Sequence, residues 1–317
     1  MGCGADGHLS VRGRARPGPL RTRRADIVDV VVETDFVAPD PRLFDELVSA
    51  ALRAAGEASR RDRWELVDHG SANLVVLAGR TAVRVSRTEH AAAEVERAQR
   101  VIDSLPSLPF AVPRSRAEPV RAEGLIAVAQ SRLRGVPHPS GSGDPRELAA
   151  LLDALHSVPL ATVRADLARP RAFMGGDAWR ETMAERVLPL LDDEARSRGE
   201  RVVEGLAALA EPAEPSLVHG DLAGANVLWT DGRVSGVIDW DLASAGDPAD
   251  DVAALATWHG WEAIAGVVPP DTENRARVIA ATYPLQLVCF AVVNRRPVAE
   301  IDRAVQRANR RLVGRTA

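Results

Sequence analysis

Near residue 135 the chain turns from mostly strand-like runs to a mainly helical pattern, and that change limits the architectures open to it. Before it come short β-like runs: Trp64–Val67, Leu74–Leu77 and Thr81–Val85. Ala78-Gly79-Arg80 between the last two reads as a hairpin turn. A helix starting at Asp40-Pro41 precedes these runs, with Leu43, Leu47, Ala50, Ala51 and Ala54 at helical spacing. A second helix is expected from Glu89 to Leu105, then strand segments over 108–116 and 124–133. After the loop Gly135 to Asp144 the pattern turns helical, with helices expected over 145–157, 177–193, 195–210, 248–266, 272–293 and 298–313. Short strands interrupt them only near 217–218, 227–229 and 233–238. The expectation is an α+β protein of two lobes: a β-rich lobe over 39–133 and a mainly helical one over 134–317.

Composition narrows the function classes. With 46% hydrophobic and 26% charged residues the chain has the profile of a soluble globular protein. A net charge of −4 gives no overall signature for binding a polyanion. Residues 8–24 carry six arginines and no acid, so about 1–38 reads as a flexible tail; a nucleic-acid arm is the rival reading. Cys3 and Cys289 are too far apart and too differently placed for a disulfide framework or a zinc site, which points to a reducing, cytoplasmic setting. The longest apolar run, Val278 to Val293, is interrupted by Thr282, Pro284 and Gln286, so no membrane span is expected. The start lacks the apolar stretch of a signal peptide, and Asp6 breaks the pattern for N-myristoylation begun by Met1-Gly2-Cys3. The chain contains no lysine, so any step that ordinarily uses lysine must use arginine or go without.

The strongest local signal is Leu217-Val218-His219-Gly220-Asp221-Leu222-Ala223-Gly224-Ala225-Asn226-Val227-Leu228-Trp229. Phosphoryl transfer needs a carboxylate to orient an attacking hydroxyl and accept its proton, and oxygen ligands for the Mg²⁺ that offsets phosphate charge. Asp221 and Asn226, at opposite ends of one loop, supply a base and a metal ligand, and the His-x-Asp-x-x-x-x-Asn pattern is that of kinase catalytic loops. Val234-Ser235-Gly236-Val237-Ile238-Asp239-Trp240 follows, a strand-like run ending in Asp239, which in this order reads as a second metal ligand.

These segments resemble the aminoglycoside/macrolide phosphotransferase family, antibiotic kinases with a protein-kinase-like fold. The catalytic segment looks like the family's His-Gly-Asp-Leu-x-x-x-Asn loop, Val237-Ile238-Asp239-Trp240 like its metal segment, and Gly246-Asp247-Pro248-x-x-Asp251 like the motif after it. Leu155–Pro159 and Leu108–Pro113 are similar to segments of macrolide phosphotransferases. The likeness runs from about 64 to 262. It implies Asp221 as catalytic base, Asn226 and Asp239 as Mg²⁺ ligands, His219 as a hydrogen-bonding brace of the loop, and Asp247 and Asp251 as structural residues.

On the nucleotide side, His69-Gly70-Ser71-Ala72-Asn73 resembles the family's phosphate-covering loop, with Ser71 and Asn73 nearest the phosphates. The phosphate-contacting lysine of the third kinase strand corresponds to Arg84, whose fork can bind phosphate but is not equivalent to an ammonium. The resemblance asks for a helix glutamate to pair with it. Glu94 and Glu96 compete, and Glu94 lies nearer the inward face marked by Ala91, Ala98, Val101, Ile102 and Leu105. Gly124–Gly135 looks like the last strand and hinge, where the base would meet main chain around Gln130 to Arg132. The expected donor is ATP or GTP with Mg²⁺, and the expected partner a small-molecule hydroxyl acceptor rather than nucleic acid or membrane, in a monomer or homodimer.

The acceptor stays open. Polycations need converging carboxylates and macrolides a broad apolar cleft. Asp241, or Asp177, Glu181 and Glu185 at i, i+4 spacing, would suit the first; Trp179, Trp258 and Trp261 would suit the second. A housekeeping kinase for a sugar or amino alcohol, and a nucleotide-binding regulator without catalysis, are the rival functions.

Overall fold

The computed structural model describes residues 38–314, apart from 68–71 and 213. The expected tail over 1–38, save its last residue, and His69, Gly70 and Ser71 of the expected phosphate loop lie outside the described residues. The first helix, α1 (Pro41–Ala54), begins where Pro41 occupies the first turn and the Asp40 carboxylate accepts from the Arg42 and Leu43 N–H groups at 2.9 and 3.1 Å. An antiparallel sheet follows, built from β1 (Glu65–Val67), β2 (Asn73–Ala78), β3 (Thr81–Ser86), β4 (Val120–Ala122) and β5 (Leu125–Ser131) in the spatial order β1-β2-β3-β5-β4. Gly79, at φ +56°, and Arg80 form the two-residue turn between β2 and β3. Helix α2 (Glu89–Ser104) crosses between β3 and β4, capped by the Thr88 hydroxyl on the Ala91 N–H.

The two-residue period sorts the sheet's side chains. Val83, Val85, Ala127 and Ala129 pack with Phe44, Leu47, Val48 and Leu52 of α1, while Ile126 and Val128 pack with Val95 of α2. Arg84 alternates with Val83 and Val85 and so leaves the α1 face.

The expected strand over 108–116 is instead an extended connection. Pro109 and Pro113 lack the N–H a ladder needs. It still ties the lobes: the Ala111 N–H donates to the Ser235 carbonyl, and the Val237 N–H to the Ala111 carbonyl, each at 3.0 Å.

The helical lobe opens with β6 (Val136–Pro137) and α3 (Pro145–His156), whose Leu148, Leu151, Leu152 and Leu155 enter a core shared with Leu217, Leu222, Trp240, Val252 and Leu285. The helix expected over 177–193 breaks into 3-10, α and π turns, among them α4 (Trp179–Thr182), with Gly175-Gly176 before them and Pro189 in the last turn. Helix α5 (Asp193–Ala208) is continuous. The β island holds β7 (Ser216–Val218), β8 (Val227–Thr230), β9 (Arg233–Val237) and β10 (Ser244–Gly246). Asp231 and Gly232, at φ +51° and +78°, turn β8 into β9 as a type I′ hairpin.

The helix expected over 248–266 divides at Gly260 into α6 (Ala249–His259) and α7 (Trp261–Ile264). That over 272–293 divides at Thr282 into α8 (Pro270–Ala281) and α9 (Tyr283–Val293), bent by 50° where Pro284 removes a helical hydrogen bond. Helix α10 (Val298–Leu312) ends the described chain. Among the described residues no single helix is long and apolar enough to cross a membrane.

Candidate active site

The loop 219–226 joins β7 to β8 and is held from below by one buried carboxylate. Asp251, fully buried on α6, accepts the His219 N–H at 3.0 Å and the Gly220 N–H at 3.2 Å, and His156 Nε2 lies 3.2 Å from it. Gly220 has φ +78°, and a Cβ there would stand 2.5 Å from the Leu242 carbonyl oxygen, so only glycine lets the loop approach the segment after the metal motif.

His219 is fully buried, edge-on to Trp240 at 4.9 Å. Its Nε2 lies 3.0 Å from the Ile238 carbonyl and its Nδ1 is 3.3 Å from the Asp221 N–H. A carbonyl only accepts and an N–H only donates, so the ring proton sits on Nε2. Burial holds the imidazole below its ordinary pKa, against the pull of Asp251. A neutral ring bonded at both nitrogens braces the loop.

Asn226 Nδ2 donates to both the carbonyl, at 2.8 Å, and Oδ2, at 3.1 Å, of Asp221. Its amide oxygen is the atom left to meet a cation. The Ile238 N–H donates to the Asn226 carbonyl at 3.0 Å, which brings Val237–Trp240 against the loop. Asp239 has φ +65°, a left-handed conformation that Asp tolerates better than most residues. Trp240 beside it is fully buried, with Nε1 on the Val237 carbonyl at 3.0 Å, and fixes that turn.

Desolvation, then the neighbouring Asp239, push the Asp221 carboxyl up to about 7, against the Asn226 hydrogen bond. Desolvation, then Asp241, push Asp239 up to about 6, against Arg84. Both residues also reach the cleft surface, so water offsets part of that desolvation. Carboxylates held at raised pKa beside one another are poised to receive a cation. The donor set is all oxygen, as a hard cation requires. Among the described residues no three His, Cys, Asp or Glu side chains close into a cage. An amide oxygen and one or two carboxylates suit Mg²⁺, which completes its shell with phosphate oxygens and water. The residues fit the ion.

Arg84 crosses from β3 to this cluster. Its side chain is 9% exposed, and Nη2 lies 2.7 Å from Asp241 Oδ2 and 3.6 Å from Asp239 Oδ1. Asn73 stands beside it: turned to satisfy both ends of its amide, it accepts from Arg84 Nη2 at 2.7 Å and donates to the Ala72 carbonyl at 3.1 Å. The expected pairing of Arg84 with Glu94 is not what the structure contains. Glu94 bonds Arg97 at 3.0 Å, and Glu96 bonds Arg121 at 2.6 Å. Asp241, expected on the acceptor side, takes the glutamate's place.

The hinge also departs from expectation. The Ser131 and Arg132 N–H groups donate to the carbonyls of Arg114 at 2.8 Å and Arg80 at 2.9 Å, so they are not free for a base. The Gln130 side chain bonds Gln99 at 2.5 Å, away from the cleft, and Arg132 pairs with Glu65 at 3.2 Å. The chain beyond them, over 133–135, belongs to no helix or strand.

The phosphotransferase enzyme family model matches residues 63–283, more than half of the chain and the whole site just described. The chain belongs to the phosphotransferase enzyme family. Viomycin phosphotransferase of Streptomyces vinaceus is 41% identical over 115 residues, which cover 33% of this chain and 40% of that one. Hygromycin-B 4-O-kinase of Escherichia coli is 29% identical over 132 residues, 36% of this chain and 39% of that one. The matched stretches thus span about two fifths of the length of these relatives. The fold is that of solved phosphotransferases. The GDP complex of an aminoglycoside 2′-phosphotransferase superposes with TM-score 0.73 at 16% identity, covering 88% of this chain and all of that one. A macrolide 2′-phosphotransferase from Brachybacterium faecium gives 0.63 at 22% identity, covering 84% and 98%.

A partly open cavity of about 40 Å³ lies behind Gly220, lined among others by Arg169, Arg171, Phe173, Asp250, Tyr283 and Gln286. None of these six stands out in the sequence as a site residue. Burial, then Asp251, push Asp250 up to about 7, against Arg171. Asp247, by contrast, caps α6 through the Ala249 N–H at 3.0 Å and pairs with Arg275 at 2.9 Å, a structural role. Two of the tryptophans considered for an apolar wall serve packing: Trp179 is buried under Arg171 and Arg180, and the Trp258 ring lies where a Gly224 side chain would be. Trp261 stacks with Arg277 at 4.0 Å. Asp177, Glu181 and Glu185 are exposed on the irregular segment around α4.

Proposed function

We propose that the protein is a Mg²⁺-dependent O-phosphotransferase that moves the γ-phosphoryl group of ATP or GTP to a hydroxyl of a small molecule. The observation that carries this reading is the meeting of Asp221, Asn226 and Asp239 at one cleft edge, with the guanidinium of Arg84 beside them. In the reaction the Asp221 carboxylate orients the acceptor hydroxyl and takes its proton as the oxygen bonds to the γ-phosphorus. The bond from that phosphorus to the β,γ-bridging oxygen breaks, and the nucleoside diphosphate leaves. Asn226 and Asp239 would hold the magnesium, which offsets charge on the transferring group when bound. His219 keeps Asp221 in place through the loop backbone. Arg84 and Asn73 would face the phosphates, with residues 39–133 forming the nucleotide lobe and 134–317 the catalytic one.

The acceptor is an antibiotic, by likeness to the viomycin and hygromycin enzymes, and it enters beside Asp221. A donor made in the cytoplasm supports that location for the enzyme. The test is transfer of labelled phosphate from both nucleotides to viomycin, hygromycin B, aminoglycosides and macrolides. Asp221→Ala should lower turnover by about 10² to 10⁴ while nucleotide affinity stays within about threefold. Turnover equal to the parent enzyme's would sink the assignment of the base.

A further inference from the structure

We propose that Asp241 is a positioning residue that draws the Arg84 guanidinium away from Asp239, so that Asp239 is left to hold the divalent ion. The inference rests on the phosphotransferase reading above. Arg84 is buried and carries a fixed charge, so it must have a carboxylate close by. Two stand within reach, two residues apart on one turn. The 2.7 Å contact to Asp241 against 3.6 Å to Asp239 shows which one Arg84 takes. Without Asp241 the remaining partner would be Asp239, and a cation already on that carboxylate competes with any metal ion directed there.

Asp241 is built into place. Its carbonyl accepts from Arg97 Nη2 at 2.5 Å, and Arg97 Nη1 donates to the Asp166 carbonyl at 2.8 Å. Helix α2 therefore reaches the site through an arginine on main chain, where the expected glutamate would have touched Arg84 directly. Asn73 takes a further hydrogen bond from Arg84, so the guanidinium is held on the Asp241 side by two acceptors. Asp241 Oδ1 is buried and accepts no hydrogen bond from the described residues, which makes a direct role as metal ligand the specific rival.

Mn²⁺ binding measured by water-proton relaxation separates the two. Each variant is held at ten times its own Kd for ADP or GDP. In Asp241→Asn, Mn²⁺ affinity should fall by about tenfold or more. In Arg84→Gln it should equal or exceed the parent's, because Asp239 is freed. In the double variant it should recover to within about threefold of the parent. A double variant as weak as Asp241→Asn would make Asp241 a ligand and overturn the inference, as would an Asp241→Asn protein that binds Mn²⁺ normally. If Asp241→Asn fails to fold, Arg84→Gln decides alone, weaker Mn²⁺ binding being the contrary result. A parent protein that binds neither nucleotide with Mn²⁺ would remove the phosphotransferase reading itself.

Discussion

The two sides of the cleft are held by different means. On the helical side the loop 219–226 is organised within one lobe: Asp251 anchors two successive N–H groups, and His219 and Asn226 bond atoms two to five residues away or in the adjoining β island. On the sheet side Arg84 finds its carboxylate 157 residues later, in the other lobe. The first arrangement survives as long as its own lobe is folded. The second exists only when the lobes are together. A charge whose partner lies across a cleft couples closure of that cleft to the order of the groups around Arg84, and a hydrogen-bonded loop does not.

The sharpest way to break this contrast is at Asp251. Asp251→Asn keeps the shape but swaps one acceptor oxygen for an NH₂ group, which then faces either the His219 or the Gly220 N–H donor. Loss of about 2–4 kcal/mol is expected in denaturant melts, with turnover falling alongside. An unchanged denaturation midpoint would mean that the loop does not depend on its anchor. Gly220→Ala comes next. A β-carbon 2.5 Å from the Leu242 oxygen, at φ +78°, should cost about 1–3 kcal/mol, and the loop would shift away from the metal motif. Turnover should drop more than stability does; the opposite ranking would place the strain elsewhere.

Legibility in the sequence follows the same division. His219, Asp221 and Asn226 could be read because their partners are local, and a local spacing is preserved in the letters. Asp239 could be read because it ends a strand-like run. The helix break at Thr282 was visible as Pro284, although the continuous apolar periodicity outweighed it, and Pro109 and Pro113 likewise marked 108–116 as a poor strand. The partner of Arg84 could not be read. Periodicity on α2 ranks Glu94 by its face, but nothing in that helix encodes that Asp241 stands opposite Arg84 once the lobes meet. The cavity behind Gly220 was hidden for the same reason, since its lining comes from segments near 170, 250 and 285.

Asp250 and Asp251 offer a smaller contrast within one helix. Asp251 has three donors around it, whereas Asp250 faces the cavity and titrates near 7. An aspartate with its folded pKa raised above the unfolded value keeps its proton in the native state after the unfolded chain has released its own. Its contribution is therefore full below about pH 4 and is lost as pH rises toward 7. Asp250→Asn removes that penalty. At pH 8 the variant should melt about 2–4 °C higher than the parent, and at pH 5 the gap should narrow. A gap independent of pH would show that Asp250 is already paired in solution.

The smallest expected effect bears most directly on the comparison. If α2 served the phosphate site through a glutamate, Glu94→Gln would leave the buried guanidinium of Arg84 without a partner, at a loss of several kcal/mol in nucleotide binding. In the structure Glu94 is half exposed and pairs with Arg97 three residues on, an arrangement worth only about 0.3–0.5 kcal/mol. Glu94→Gln should therefore change nucleotide Kd by less than about threefold by calorimetry, since Arg97 remains bonded to the carbonyls of Asp166 and Asp241. A tenfold or larger loss would mean that the nucleotide draws Arg84 from Asp241 to Glu94. The bridge between the lobes would then be a resting contact that gives way when the donor binds.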